Sequence, residues 1–210
     1  MSEKKYRKDE EKPRQKQSYL SRAAKAEIPE IIKVLDAGGV ILYPTDTVWG
    51  LGCDATNEAA VRRIFEIKKR ADSKSMIVLV DSDPKIDFYV KDVPAVSWDV
   101  VDYATRPTTI IYDNARNLAP SLIAEDGSVG IRITKEDFTK LLCFRYRKAI
   151  VSTSANISGE PAPDMFLEID DEIKNAVDYI VKYRQDDHKI SRPSSIIKIG
   201  QGGEVKVIRA

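Results

Sequence analysis

Four short segments of this 210-residue chain place hydroxyl, carboxylate, amide or cationic side chains directly beside an apolar strand or at the end of an apolar helix face. The first, residues 43–52 (YPTDTVWGLG), leads from a buried strand into a proline, two threonines that flank Asp46, and two glycines. Small hydroxyls and backbone N–H groups at the end of a strand suit ligand binding. The alternative is an ordinary turn that Asp46 stabilises.

The second segment, residues 67–74 (IKKRADSK), concentrates cations at the end of a helix. Helical spacing places Lys68 at the end of an apolar stripe that includes Ile64. The Lys68 side chain either extends along apolar surface to solvent or points inward, where it would meet Arg70 and Lys74. Three cations within seven residues suit a triphosphate. Because the sequence has no GxxxxGK[ST] motif, a nucleotide site here would not be of the P-loop type.

The third segment, residues 128–133 (SVGIRI), is an apolar strand that carries an arginine. Strand alternation puts Ser128, Gly130 and Arg132 on one face. Gly130 removes bulk beside the arginine, which leaves room for a ligand. The alternative is a half-exposed strand with an arginine at the surface.

The fourth segment, residues 152–161 (STSANISGEP), places hydroxyls and an amide directly after a short apolar strand. Polar side chains in such a position cost free energy when they are buried without partners. They either bind one another and cap a turn, or present their hydroxyl and amide groups to a phosphate or a sugar. The sequence leaves both alternatives open.

Composition limits the classes of protein that these segments could serve. The chain is 42% hydrophobic and 32% charged, which is typical of one domain with a substantial core. It has no apolar run of membrane-spanning length and no apolar stretch near its N-terminus, so we expect no membrane association and no secretory signal. Two cysteines argue against a disulfide framework and favour a reducing cytoplasm. A single histidine argues against multi-histidine metal sites and Ser-His-Asp catalysis.

The net charge of +1 conceals an uneven distribution. Residues 1–17 contain seven basic and four acidic residues, whereas the remaining chain is slightly acidic. The tail has no apolar periodicity, so we expect it to be disordered and to act either as a solubilising tail or as a weak electrostatic contact for RNA. The predicted organisation is therefore a tail at 1–17 and one domain at 18–210.

Hydrophobic periodicity predicts alternating helices and strands along that domain. The predicted helices are 19–38, with a break at Pro29, 56–69, 95–104, 136–145 and 168–176. The predicted strands are 40–43, 76–80, 108–112, 128–134, 149–153, 178–182, 195–199 and 204–209. Mixed elements that end in an antiparallel hairpin predict a single α/β domain with a twisted, mixed parallel/antiparallel sheet flanked by helices.

The order of the motifs is more specific than any one of them. PTDTVWGLG, KKR with Lys74 four residues on, VGIRI, STSANISGEP, PSSIIKI and the closing VIRA resemble the YrdC-like threonylcarbamoyl-AMP synthase family over residues 19–210. The resemblance implies a fold around a concave, positively charged cavity and the short, single-domain type. It also implies condensation of ATP, L-threonine and bicarbonate into threonylcarbamoyl-AMP and pyrophosphate, with Mg²⁺ accompanying ATP. The product would feed threonylcarbamoyl transferase machinery that modifies adenosine in tRNA.

The same resemblance transfers functional positions to this chain. The residues that it implies to be catalytic are Lys68, Arg70, Ser154 and Asn156. Those implied to bind ATP are Lys68, Arg70, Lys74, Ser128, Arg132, Ser154, Asn156 and Arg209. Those implied to bind threonine are Thr45, Thr47, Arg132, Ser152, Ser194 and Ser195. Ser194 and Ser195 are alternatives because the last hairpin is about one residue longer than is usual in the family. No metal ligand follows from the motifs.

Two departures from the family pattern put the geometry of one loop in question. Ala71 and Ser75 stand where the family usually has prolines. Two other functions also stay open: a non-catalytic paralogue that binds double-stranded RNA, tRNA or a nucleotide, and a regulatory module that binds a nucleotide without turnover. The intact set of Lys68, Arg70, Ser154 and Asn156 favours the enzyme, because a binding paralogue would be free to lose it.

Overall fold

A computed structural model describes residues 20–69, 76–188 and 193–210. Within these ranges, nine strands form one sheet. The strands are β1 (Ile41–Tyr43), β2 (Gly50–Gly52), β3 (Ile77–Val80), β4 (Thr108–Tyr112), β5 (Val129–Ile133), β6 (Ile150–Ser154), β7 (Tyr179–Ile180), β8 (Ser195–Ile199) and β9 (Val205–Arg209).

The sheet is mixed and has the order β7-β1-β2-β6-β3-β5-β4-β8-β9. The pairs β1/β7, β3/β5 and β4/β8 are parallel. The other neighbours pair antiparallel, including the closing hairpin of β8 and β9. This arrangement confirms the predicted mixed sheet within a single α/β domain.

Helices cover both faces of this sheet. They are α1 (Arg22–Asp36), α2 (Glu58–Ile67), α3 (Pro84–Tyr89), α4 (Val96–Tyr103), α5 (Asp137–Tyr146) and α6 (Asp171–Ala176). None of the helices in the described ranges is long and apolar enough to cross a bilayer.

Side-chain capping sets where the first two helices begin. The Ser21 hydroxyl accepts a hydrogen bond from the Ala24 N–H at 3.1 Å, and the Asn57 side chain accepts one from Ala60 at 3.2 Å. Pro29 lies inside α1 without ending it, so the predicted break is wrong. Burial of the apolar stripe of α1 outweighs the one hydrogen bond that a proline removes.

Strand alternation divides the core into two layers. Ile41 and Tyr43 pack in a cluster with α1 and α5, whereas Val40 and Leu42 pack in a second cluster with α2 and α3. The face that carries α1 and α5 is the one on which the functional site lies.

Each predicted helix and strand is present, with ends that agree within three residues. Two elements escaped prediction, namely β2 and α3. The Gly-Leu-Gly sequence of β2 is typical of a turn, yet its glycines are needed for close packing: a Cβ on Gly52 would lie 2.5 Å from the Tyr43 ring.

Candidate functional site

A cavity of about 280 Å³ lies where the loop after β1 meets residues of β3, β5, β6, β8 and β9. Its wall includes the apolar side chains of Met76, Ile77 and Ile196. Six of the polar residues that sequence motifs single out also line it: Thr47, Arg132, Ser152, Ser154, Ser194 and Arg209. A concave, polar site with two arginines suits an anionic ligand.

Lys68 points inward. It is only 2% exposed and follows the last turn of α2, on the same face as the buried Ile64 and Phe65. Its ammonium donates hydrogen bonds to the carbonyl oxygens of Ser154 at 2.5 Å and Asn156 at 2.6 Å. The Lys68 carbonyl in turn accepts a bond from the Ser158 N–H at 2.8 Å. Lys68 therefore fixes the loop after β6 rather than extending to solvent.

The loop after β1 folds through its threonine hydroxyls. The Thr45 Oγ1 donates to the Val48 carbonyl at 2.7 Å and accepts from the Thr47 N–H at 3.1 Å. The two threonine hydroxyls also lie 3.0 Å apart, within hydrogen-bond distance. The turn is thus stabilised by Thr45, not by Asp46 as the plainer interpretation of this segment supposed.

Asp46 instead pairs with the arginine of β5. One carboxylate oxygen lies 3.0 Å from the Arg132 Nη2, and the two side chains are 7% and 3% exposed. Neither oxygen of Asp46 nor the Arg132 Nε makes a hydrogen bond among the described residues. Arg132 Nη2 also donates to the Thr47 hydroxyl at 3.3 Å. A buried ion pair with unused hydrogen-bonding capacity is suited to a polar ligand.

Gly130 does not leave open space beside Arg132, contrary to the expectation from its sequence. A Cβ at this position would lie 3.0 Å from the Ile77 Cγ2 and 3.3 Å from the Thr109 Cγ2. The space is already occupied by these side chains. Gly130 therefore allows Ile77 to pack closely where it forms part of the cavity wall.

The loop after β6 combines the two alternatives that its sequence left open. The Asn156 side-chain amide donates to the carbonyls of Ile157 at 2.9 Å and Glu160 at 2.7 Å, which stabilises a turn. The Asn156 Oδ1 makes no hydrogen bond among the described residues. Ser152 and Ser154, in the last part of β6 itself, line the cavity.

Ser194, not Ser195, lines the cavity. Its hydroxyl lies 2.9 Å from the Thr109 hydroxyl, and its carbonyl accepts a bond from the Arg209 Nε at 2.9 Å. Ser195 is the first residue of β8 and pairs in register with Thr108. Since neighbouring side chains of a strand point to opposite faces, Ser195 is directed away from the cavity that Ser194 and Ile196 line.

A β-bulge brings Arg209 to the cavity. Ile197 pairs with Val207, whereas Ile196 pairs with Arg209, so Ile208 is the extra residue. This bulge accounts for the longer hairpin noted in the sequence. It places Arg209 opposite Ile196, which lines the cavity.

The remaining candidate residues lie elsewhere. Thr45 lines a separate small cavity next to Thr47. Ser128 precedes β5, where its N–H binds Asp126 at 3.0 Å, and it does not line the main cavity. Arg70 and Lys74 lie outside the described residues.

Sequence reasoning missed two polar residues of the site. Asp46 was interpreted only as a turn residue, although an isolated carboxylate between two apolar segments is a signal for a buried cation partner. Thr109 was interpreted only as part of a strand, yet it lies fully buried beside Ser194. Its partner is 85 residues away in the chain, and no local pattern reveals such a contact.

Comparison with known proteins identifies the family of this chain. The family model of Sua5, YciO and YrdC proteins, whose description is "Telomere recombination", matches residues 33–210. A relative named threonylcarbamoyl-AMP synthase, from Stutzerimonas stutzeri strain A1501, is 32% identical over 154 residues, which is 73% of this chain and 83% of the relative.

Two solved structures share the fold. E. coli YciO superimposes with a TM-score of 0.76 at 21% identity, over 88% of this chain and 89% of YciO. P. abyssi Sua5, in a crystal structure with L-threonine, gives a TM-score of 0.74 at 23% identity, over 83% of this chain and 51% of that one. The present chain thus spans about half the length of the P. abyssi Sua5 chain. The resemblance noted in the motifs is confirmed, and the chain belongs to the Sua5/YciO/YrdC family.

Proposed function

We propose that this chain is an L-threonylcarbamoyl-AMP synthase, which condenses L-threonine, bicarbonate and ATP to threonylcarbamoyl-AMP and pyrophosphate for tRNA modification. One observation carries the proposal. Arg132, which pairs with the buried Asp46, lines one cavity together with Thr47, and the same cavity is lined by Ser154, Ser194 and Arg209. The name of the S. stutzeri relative supports the same activity.

The reaction is balanced without an external oxidant or reductant. The amine of threonine and bicarbonate form an N–C bond and release water, which leaves an N-carboxylate. An oxygen of this carboxylate attacks the α-phosphorus of ATP, the bond to the β-phosphate oxygen breaks, and pyrophosphate departs with the electron pair. Negative charge accumulates on the phosphates, so cations and preorganised donors would supply most of the catalysis.

The cavity offers donors of the required type. We assign Arg132 and Thr47 to the threonine end, together with Ser152 and Ser194, whose hydroxyls can pair with a carboxylate or a hydroxyl. We assign Arg209 and Ser154 to the phosphates, with Arg70 and Lys74 as further predicted ligands of ATP.

Lys68 would act indirectly. Because its ammonium already binds the carbonyls of Ser154 and Asn156, we propose that it positions the Ser154 hydroxyl at the end of β6 and the Asn156 amide oxygen in the loop that follows. Burial near the cavity would also let its positive charge stabilise the phosphates through a medium of low dielectric constant.

Magnesium would enter with ATP. Among the described residues, no group of three or more His, Cys, Asp or Glu side chains could hold a metal ion. Mg²⁺ in such enzymes is commonly bound by phosphates and waters with one or two carboxylates, so a protein cage is not required. The Asp46 carboxylate already forms an ion pair with Arg132.

The product would pass to a threonylcarbamoyl transferase that acts on tRNA.

The two cysteines of this chain, Cys53 and Cys143, are both buried, and neither forms a disulfide. Free thiols are typical of proteins in a reducing cytoplasm, where we propose that the reaction takes place.

A reconstituted reaction tests the function. The purified chain is incubated with ATP, Mg²⁺, L-threonine and bicarbonate, and pyrophosphate and threonylcarbamoyl-AMP are measured by enzymatic coupling and mass spectrometry. We expect both products in equal amounts, and neither when threonine is omitted. Binding of ATP without turnover would support the regulatory module, and binding of tRNA alone would support the non-catalytic paralogue.

A further inference from the structure

The loop of residues 44–48 is fixed from outside the cavity by two side chains that bind its backbone. The Thr139 hydroxyl of α5 donates to the Pro44 carbonyl at 2.9 Å. The Arg184 Nη1 donates to the Thr45 carbonyl at 3.0 Å. Thr139 and Arg184 come from separate parts of the chain, and each binds a different carbonyl of the loop.

Arg184 is itself strongly constrained. Its Nε lies 2.8 Å from the Asp187 carboxylate, and its Nη2 lies 2.8 Å from the same oxygen. A second carboxylate, that of Glu136, lies 4.0 Å from the Nη1. The Arg184 backbone has φ of 66°, a left-handed conformation that residues with a side chain rarely adopt. Strained conformations persist where surrounding contacts determine them, and they concentrate at functional sites.

Hydrogen bonds connect Arg184 to the substrate cavity through the loop. Arg184 fixes the carbonyl of Thr45, whose hydroxyl lies 3.0 Å from the hydroxyl of Thr47. Thr47 in turn accepts a bond from Arg132 at 3.3 Å. Arg184 itself does not line the main cavity but a second, much smaller one beside Thr45 and Thr47, with room for about one water molecule. Its effect on the substrate must therefore pass through the loop.

We propose that Arg184, oriented by Asp187, is a positioning residue that sets the hydroxyls of Thr45 and Thr47 for the amino-acid substrate. The inference rests on the proposed function, because it takes threonine as the ligand of Thr47. It predicts an effect confined to the threonine end of the cavity. Arg209 and Ser154, which are assigned to ATP, receive no contact from Arg184 in the described residues.

Kinetics separate positioning from general stability. In Arg184→Ala, KM for threonine should rise about tenfold or more, as expected for the loss of a charge-assisted hydrogen bond, while KM for ATP changes less than about twofold. Arg184→Lys keeps the positive charge but lacks the planar guanidinium group, so it should give an intermediate KM for threonine.

Arg116→Ala is the matched control, because Arg116 Nη2 also donates a hydrogen bond to a backbone carbonyl, that of Asp87 at 2.5 Å, away from the cavity. Equal increases in both KM values, or none in either, would overturn the inference.

Hydrogen–deuterium exchange provides a readout that does not need activity. The Thr47 N–H is bonded to the Thr45 hydroxyl, so a loosened loop should exchange faster in peptides that cover residues 44–49. We expect faster exchange there in Arg184→Ala but not in Arg116→Ala. Unchanged exchange in Arg184→Ala would refute the positioning role even if the enzyme were inactive. Wild-type protein that shows no threonine-dependent pyrophosphate release would instead refute the proposed function and leave the exchange result to decide on Arg184.

Discussion

The ammonium of Lys68 lies 2.5 Å from the carbonyl oxygen of Ser154, although the two residues are 86 positions apart in the chain. Since Lys68 is buried, this contact joins the end of α2 to the loop after β6 and replaces the water that a lysine at the surface would bind. The contact makes Lys68 part of the framework of the site as well as a source of positive charge.

Replacing Lys68 should therefore damage both activity and stability. Lys68→Met keeps the length of the side chain but leaves two carbonyls without their donor, which costs about 1–3 kcal/mol of unfolding free energy for each unsatisfied group. Threonine-dependent pyrophosphate release should fall on the order of 10²-fold or more. Lys69→Met serves as control, because the neighbouring Lys69 forms an exposed ion pair with Glu172. Turnover near that of the wild type in Lys68→Met would contradict the assignment.

The Arg132–Asp46 pair gives a second prediction. Arg132→Met leaves the Asp46 carboxylate buried without its cation, which should lower the unfolding free energy by about 3–5 kcal/mol. Adding Asp46→Asn removes the uncompensated charge, so the double variant should recover part of that stability but none of the activity. Urea unfolding and pyrophosphate release are measured on Arg132→Met, on Asp46→Asn and on the double variant. A double variant no more stable than Arg132→Met would show that the pair is not coupled.

Hydrophobic periodicity predicted most helices and strands, because the apolar residues of each element recur at the spacing of a helix or of a strand. The same reasoning placed Lys68 on the buried face of α2, but it did not decide between an inward and an outward ammonium. The deciding partners, Ser154 and Asn156, lie on a loop that only the tertiary fold brings near. For the same reason Asp46 could not be matched with Arg132 from the sequence.

Local irregularities limited the remaining predictions. Strand alternation predicts that only one of Ser194 and Ser195 faces the cavity, but choosing between them requires the phase of the strand. Sequence spacing alone does not reveal which face of the sheet each residue of the strand points to. The bulge at Ile208 also changes which residues of β9 lie opposite those of β8. Gly130 was expected to leave room for a ligand beside Arg132, but Ile77 and Thr109, which are distant in the sequence, occupy that space.

Acid should weaken the hydrogen bonds that the Asp54 carboxylate accepts from Thr56, Tyr146 and Lys148. Burial raises the pKa of the Asp54 carboxyl, but hydrogen bonds from Lys148, Thr56 and Tyr146 outweigh it and hold the pKa below its usual value of 3.8. A lowered pKa means that the ionised form is favoured in the folded state, so this stabilisation is present above about pH 4 and is lost as the pH falls through the folded-state pKa.

Asp54→Asn tests this linkage. The difference in urea midpoint between wild type and Asp54→Asn should be large at pH 7 and should shrink as the pH falls below about 4 and on through the lowered folded-state pKa, because the wild-type carboxyl then becomes protonated. Circular dichroism at each pH gives the midpoints. A difference that is constant across this range would mean that the carboxylate charge contributes nothing to stability.

Deleting residues 1–17 should leave pyrophosphate formation nearly unchanged. The segment is rich in charge and poor in apolar residues, so it has little surface to bury against the domain. The truncated and full-length chains are compared in the same assay, and their thermal unfolding midpoints are measured alongside. A large loss of activity in the truncated chain would show that the tail contributes to the site.

Substrate choice provides the final prediction. Thr47 and Ser194 can pair with the hydroxyl of threonine, and a site built to bind a hydroxyl penalises an analogue that lacks it, because its own polar groups are left unpaired. Valine is nearly isosteric with threonine but has no hydroxyl, so pyrophosphate release should be far slower with valine. Serine keeps the hydroxyl and loses a methyl worth only about 1 kcal/mol, so its rate should fall between the two. Rates are compared at equal, subsaturating concentrations of each amino acid; equal rates for threonine and valine would remove a hydroxyl-binding pocket from the site.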